Sequence, residues 1–169
     1  WRLPPNMSGQ LVEQWPLKKL NEICDVSRGK TITRKETVEG DVPVVAGGIN
    51  SSYSHNTANR PANVITVSGS GANAGFVNFW ATPIFASDCS TIIPLDPNML
   101  DVRFVYYAML NFQDYISKEL RRGAAQPHVY AKDLALLEIP VPSLREQHRI
   151  VNILDEAFEN IGINKSNIL

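Results

Sequence analysis

This sequence offers little for redox or metal chemistry. It has only two cysteines, Cys24 and Cys89, far apart and without CxxC spacing. That argues against a disulfide scaffold or a zinc site and fits a reducing compartment. No apolar run approaches the ~20 residues that a membrane helix needs, and no charged-then-apolar leader opens the chain. A cytoplasmic protein with no membrane partner is the expectation. An excess of one charge is also missing. The 16 Lys+Arg stand against 17 Asp+Glu, a formal net charge of −1, which excludes a uniformly basic coat for nucleic acid. What is present is a chain of 169 residues, 44% apolar and 20% charged, enough for one packed domain with an appendage.

The near-neutral total hides an uneven distribution. Residues 1–35 carry seven Lys/Arg against three Asp/Glu, whereas residues 36–101 carry only Arg60 against six acids. Positive charge gathers in two clusters. The first is Arg28, Lys30, Arg34 and Lys35; the second is Arg121 and Arg122, extended by Lys118 and Lys132. Each cluster by itself reads as a solvated loop. Two clusters able to converge in space weaken that reading without overturning it.

Pro4-Pro5 disfavours helix, and residues 1–14 read as an extension or linker. Ordered structure begins at Trp15, with one helical turn expected over Leu20–Cys24. Short strands follow at residues 42–46, 63–67, 75–80 and 90–95, each closed by Gly, Pro, Asn or Ser. The strand ending at Trp80 alternates, with its aromatics expected on one side. Phe104, Val105, Ala108, Met109, Phe112 and Ile116 recur at helical spacing and predict one amphipathic helix over 102–120. Arg121 and Arg122 would lie in its last turn, complementing the dipole, with Gly123 as the stop. A short helix over 131–137 and a strand over 137–142 come next. Ser143-Leu-Arg-Glu146 reads as a capping box that opens a final helix. Along it Ile150, Leu154, Ala157, Ile161, Asn164 and Ile168 advance in alternating steps of four and three. That heptad seam fits a partner helix or packing on its own domain. The pattern still runs where the sequence ends, so a longer helix is expected.

Catalytic signatures fail in turn. Gly69, Gly71 and Gly75 follow an apolar strand, with Asp88 at a dinucleotide-like distance. That fingerprint requires a helix after the glycines, and Phe76 to Pro83 reads as a strand, so a hairpin loop is expected. Ser70 lacks the glycine frame of a nucleophile elbow, no His pair has metal spacing, and Cys89 beside a strand reads as inert core. The loops hold a supply of short hydrogen-bonding side chains: Thr31, Thr33, Asn50, Ser51, Ser52, Tyr53, His55, Asn56, Ser70, Asn73, Gln126 and His128. Such groups suit turns, and equally suit base edges and phosphates.

Several segments resemble the target recognition domain of type I restriction–modification specificity subunits. They are Trp15-Pro-Leu-Lys-Lys-Leu, Arg28-Gly-Lys-Thr31, Val42-Pro-Val-Val-Ala-Gly-Gly-Ile-Asn50 and Val67-Ser-Gly-Ser-Gly-Ala-Asn-Ala-Gly75. The most specific are Gly123-Ala-Ala-Gln-Pro-His-Val129 and Leu137-Glu-Ile-Pro-Val-Pro-Ser-Leu-Arg-Glu-Gln-His-Arg-Ile-Val151. The resemblance implies an α+β fold: a β-rich recognition domain with peripheral helices over 15–142, then a coiled-coil helix over 143–169. It implies a non-catalytic subunit that reads one half of a split double-stranded DNA site. Partners would be methylation and restriction subunits and a second recognition domain, in a bacterial or archaeal cytoplasm. The chain itself would hold no cofactor; S-adenosylmethionine, ATP and Mg2+ would belong to the partners. Candidate DNA contacts are Arg28, Lys30, Thr31, Arg34, Lys35, Ser51, Ser52, Tyr53, Ser70, Asn73, Arg121, Arg122, Gln126 and His128. Two other readings stand beside it: the recognition part of a fused restriction–methylation enzyme, and an interaction module that uses its final helix and never touches DNA.

Overall fold

A computed structural model describes residues 15–51, 53–123 and 125–160, with residue 160 described by its backbone alone. The chain enters through β1 (Leu17–Lys19) and the single turn α1 (Leu20–Ile23), then β2 (Cys24–Arg28). β3 (Val42–Val45), β4 (Tyr53–His55), β5 (Val64–Ser68), β6 (Val77–Trp80), β7 (Phe85–Ala86) and β8 (Cys89–Pro94) follow, with β-branched residues at most strand centres. β2, β8, β5 and β6 form an antiparallel sheet in that order. β4, β3 and β7 form a second sheet, in which β3 and β7 run parallel. The glycine run links β5 to antiparallel β6 and is therefore a hairpin, not a phosphate-binding turn into a helix.

The four-stranded sheet is covered on both faces. Ile65, Val67, Val77, Phe79 and Ile92 pack against a helical layer that includes Phe104, Val105, Ala108 and Met109. Val64, Trp80 and Cys89 pack on the other side with Val45, Ile84 and Ala86. This corrects the expected one-sided aromatics of the β6 strand: Phe79 and Trp80 enter different cores. A strand between two layers needs apolar groups on both faces, so alternation disappears. Trp80 keeps its indole N–H satisfied by donating to Thr66 Oγ1 at 2.9 Å.

α2 (Val102–Asn111) starts at Asp101, whose carboxylate accepts from the amides of Arg103 and Phe104. The single helix expected over 102–120 is in fact two, because the chain breaks at Phe112 before α3 (Gln113–Lys118). Gln113 explains the break: its amide accepts from Val77 N and donates to Gly75 O, capturing the free edge of β6. Arg121 and Arg122 consequently lie beyond α3, and the dipole account of them does not hold. Gly123 shapes a turn with φ +88°, where a Cβ would stand 2.7 Å from the Gln126 carbonyl oxygen.

α4 (Ala131–Leu134) is shorter than expected, and β9 (Glu138–Pro140) pairs with β1, strapping the start of the domain to its end. α5 (Leu144–Asn160) begins directly after Ser143. Glu146, expected to reach back to the Ser143 amide, is gripped at both oxygens by Arg149. Fully buried Gln147 anchors this start. Its side chain accepts from Asp101 N and donates to the carbonyls of Met99 and Pro142. Further along, Arg103 on α2 meets Asp155 on α5 at 2.5 Å, Tyr107 donates to the same carboxylate oxygen, and the guanidinium lies over Phe79. Burial opposes the charge of Arg103 most strongly, but the bonds and charges of Asp155 and Tyr107 together outweigh it and hold the group above its ordinary pKa. Burial, with the Asp155 bond adding, pushes the Tyr107 hydroxyl up to about 12.

Ile150 and Leu154 are partly buried against this domain, and with Trp15, Phe104, Tyr107 and Phe158 they line an apolar cleft of about 280 Å³. Ala157 is half-buried, while Ile161, Asn164 and Ile168 of the seam lie outside the described residues. Among the described residues no helix is long and apolar enough to cross a membrane.

Candidate nucleic-acid interface

Strand register decides where the loops go. Arg28 pairs with Ser90, and Ser68 with Cys89, so the ends of β2 and β5 and the start of β8 share one edge of the sheet. At the opposite edge Cys24 pairs with Pro94, near the start of α2 and the anchor of α5. The basic loops and the helix anchor thus occupy opposite ends of the strands.

At the loop end the connections are held by backbone bonds. Gly29 N donates to Cys89 O, and Lys30 N to Ala86 O. A Cβ on Gly29 would stand 2.3 Å from Ser87 O, so the Arg28-Gly-Lys segment needs glycine for this approach. Gly69 N donates to Asp88 O, Val129 N to Gly69 O, and Gly71 N to Pro127 O. Arg122 and His128 exchange both backbone bonds, and Ser70 forms a bridge with His128. The β3–β4 loop joins through Ser68 Oγ, which donates to Gly48 O at 3.3 Å, and Tyr53 OH, which donates to Ile32 O at 3.0 Å.

These contacts bring part of the predicted set together. Contacts run in a line from Arg28 to Asp88, Ser70, His128 and Arg122; Asp88 accepts from Ser70 Oγ and stands 3.7 Å from the Arg28 guanidinium. Arg28, Asp88, His128 and Tyr130 line a polar cleft of about 220 Å³. Tyr130 stacks on His128, and the Lys132 ammonium lies 5.7 Å from the Tyr130 ring centre. Thr31 and Tyr53 are tied to the rim through Ile32. Arg34 and Lys35 sit on a single 3-10 turn (Arg34–Glu36), braced by Glu36 accepting from the Thr33 amide and hydroxyl, both at 2.7 Å. That grip, the hydroxyl first and the amide second, lowers the Glu36 pKa. Among the described residues no hydrogen bond or ion pair links this turn to Arg121 or Arg122; of the first cluster, Arg28 borders the cleft that His128 shares.

Exposure matches a reading surface. Arg28, Lys30, Thr31, Arg34, Lys35, Ser51, Arg121, Arg122 and Gln126 are exposed; Tyr53, Ser70, Asn73 and His128 are half-buried; Ser52 lies outside the described residues. Among the described residues Lys30, Arg34, Lys35 and Arg121 have no acidic partner, whereas Arg122 pairs with Asp133 at 3.1 Å. Arg60 works inside the domain, donating to Thr91 Oγ1, Asn59 O and Arg28 O and so holding the Arg28 backbone. Sequence reading missed Asp88, Tyr130 and Arg60 as parts of this end. Asp88 was visible only as a residue at a suggestive spacing from glycines; its real neighbours are set by strand register.

Nothing here resembles a reaction centre. Among the described residues no group of three His, Cys, Asp or Glu can hold a metal. Buried His55 accepts from Val38 N and packs edge-on against Phe85. Burial pushes both thiols, Cys24 and Cys89, up to about 12, far from nucleophilic poise.

Comparison with known proteins gives this arrangement a context. The family model described as the type I restriction modification DNA specificity domain matches residues 12–169. A curated Mycoplasma genitalium protein named as a type I specificity subunit is 32% identical over 155 residues, covering 88% of this chain and 40% of its own length. The crystal structure of a type I restriction-modification S subunit from M. genitalium superposes with a TM-score of 0.74 at 28% identity, over 95% of this chain and 43% of that one. The HsdS subunit of Thermoanaerobacter tengcongensis shares the fold, with a TM-score of 0.69 at 22% identity over 96% of this chain and 42% of that one. The chain therefore spans about two fifths of the relatives it matches. With matched segments, fold and loop-borne surface in agreement, the chain belongs to the type I restriction modification DNA specificity domain family.

Proposed function

We propose that residues 15–142 read one half of a bipartite double-stranded DNA target, and that the helix beginning at residue 143 connects this reader to a second recognition domain. The chain acts as a non-catalytic specificity component. Methylation and restriction subunits supply the chemistry with S-adenosylmethionine, ATP and Mg2+, none of which this chain binds. The observation that carries the reading is the gathering of five separate connections, with exposed cations, at one end of a sheet. Phosphates are held by such cations and by backbone N–H groups, and base edges by short polar side chains. The half-exposed apolar face of α5, with Ile153 exposed beside Ile150 and Leu154, supports a partner helix.

Enrichment of a random duplex pool on the protein tests this reading. The expected result is a short motif forming one half of a split site. A pool that stays random, with helix-dependent self-association as the only binding activity, would favour the interaction module.

A further inference from the structure

The acidic residue at the centre of the basic loop end has a role beyond holding loops. We propose that Asp88 is a specificity-determining residue, which withholds Arg28 from backbone phosphates and offers its own carboxylate to a base amino group. The inference rests on the DNA-reading function proposed above.

Three observations carry it. Asp88 stands 3.7 Å from the Arg28 guanidinium, with the Arg28 side chain 68% exposed and the Asp88 side chain 30% exposed. A pair so open is weak, but a phosphate that approaches Arg28 meets the like charge of the carboxylate beside it. Second, the position of that carboxylate is fixed. The Asp88 carbonyl accepts from Gly69 N at 3.0 Å, its Oδ2 accepts from Ser70 Oγ, and Arg60 holds the carbonyl of Arg28 at 3.1 Å. Third, Asp88 lines the cleft of about 220 Å³ that Arg28, His128 and Tyr130 also border, and its side chain is partly open to solvent at this end of the sheet.

The chemistry then divides the two kinds of complex. On non-cognate DNA the protein meets phosphates, and Asp88 weakens the one cation it neighbours. On a cognate site, cytosine N4 or adenine N6 presents a donor that an ionised carboxylate accepts. Asp88 opposes the first complex and favours the second. Loss of a residue acting only as a loop brace would weaken both complexes together.

Asp88→Asn provides the test, since its amide oxygen still accepts from Ser70 and keeps the loop in place. Binding is measured on the full chain with two probes: a random-sequence duplex, and the duplex enriched from a random pool. For Asp88→Asn the random duplex is expected to bind about tenfold more tightly, with its log–log salt slope steeper by about 0.9, one phosphate's worth. Affinity for the enriched duplex is expected to stay level or fall, so the ratio between probes drops at least tenfold. In the double variant Asp88→Asn/Arg28→Gln the slope returns to the wild-type value. Equal weakening of both probes would reduce Asp88 to a brace and overturn the proposal, as would an unchanged ratio. A gain that persists without Arg28 would also overturn it. Wild-type protein that binds neither duplex in a salt-dependent way would remove the DNA-reading function itself, and the role of Asp88 with it.

Discussion

The two ends of the four-stranded sheet are built on opposite rules. At the loop end Lys30, Arg34, Lys35 and Arg121 stand exposed without acidic partners among the described residues, on loops held by backbone bonds. At the helix end the polar groups are matched: Gln147 makes three hydrogen bonds with no solvent exposure, and buried Tyr107 and partly buried Arg103 and Asp155 converge between α2 and α5. Backbone-held loops leave their side chains free to change without disturbing the scaffold. A satisfied buried network fixes one geometry and tolerates no partial replacement. The domain thus joins a changeable reading surface to a fixed helix direction.

The largest effect expected from breaking this contrast lies at Gln147. Gln147→Ala leaves the Asp101 amide and two carbonyls without buried partners, and is expected to cost about 3 kcal/mol of stability. Chemical denaturation checks this. A loss below about 0.5 kcal/mol, the range of ordinary surface changes, would show that the helix end is no more constrained than the loops.

A smaller effect sharpens the loop end. The Thr33 hydroxyl and amide lower the Glu36 pKa from its ordinary value of 4.5. A lowered folded value means that the carboxylate's contribution is fully present above pH 4.5 and is lost as the pH falls through that folded value. Amide exchange at Thr33, followed by NMR across the acid range, is expected to show protection vanishing there, and to lose its pH dependence in Glu36→Gln. Protection that is flat through the acid range in the wild type would mean that the turn carrying Arg34 and Lys35 stands without its carboxylate.

The contrast between the ends also explains what was legible from residues alone. β3, β5 and β8, the turn at α1 and the glycine hairpin follow from β-branched runs and Gly, Pro and Asn punctuation, which act locally. The inert character of Cys89 was equally legible from its place beside a strand. The break at Phe112 was hidden because Gln113 exchanges bonds with Gly75 and Val77, about 36 residues away in sequence and adjacent only after folding. The opposite cores of Phe79 and Trp80 depend on a second sheet that periodicity does not announce. Glu146 and Gln147 stood within the most specific matching segment, yet only the fold separates their roles: Glu146 pairs locally with Arg149, while Gln147 locks the helix. At the loop end, residue types pointed to Arg28, Ser70, Arg122 and His128 individually. The meeting of Arg28 and Ser70 at Asp88 is a product of register between β2, β8 and β5, and His128 and Arg122 join through bridges to Ser70 and to each other.

The central claim is that the loop end, with its unpartnered cations, is where this chain meets DNA. It is tested most directly by the salt dependence of DNA binding in wild type, in Lys30→Gln/Arg34→Gln/Lys35→Gln, and in a charge-matched control removing Arg145, Arg149 and Lys18 near the helix end. Each phosphate contact contributes about 0.9 to the log–log slope. The loop triple variant is expected to bind more weakly with a slope shallower by about 2 to 3, while the control keeps the wild-type slope. Equal slopes in wild type and the loop triple variant, or a loss confined to the control, would contradict the account.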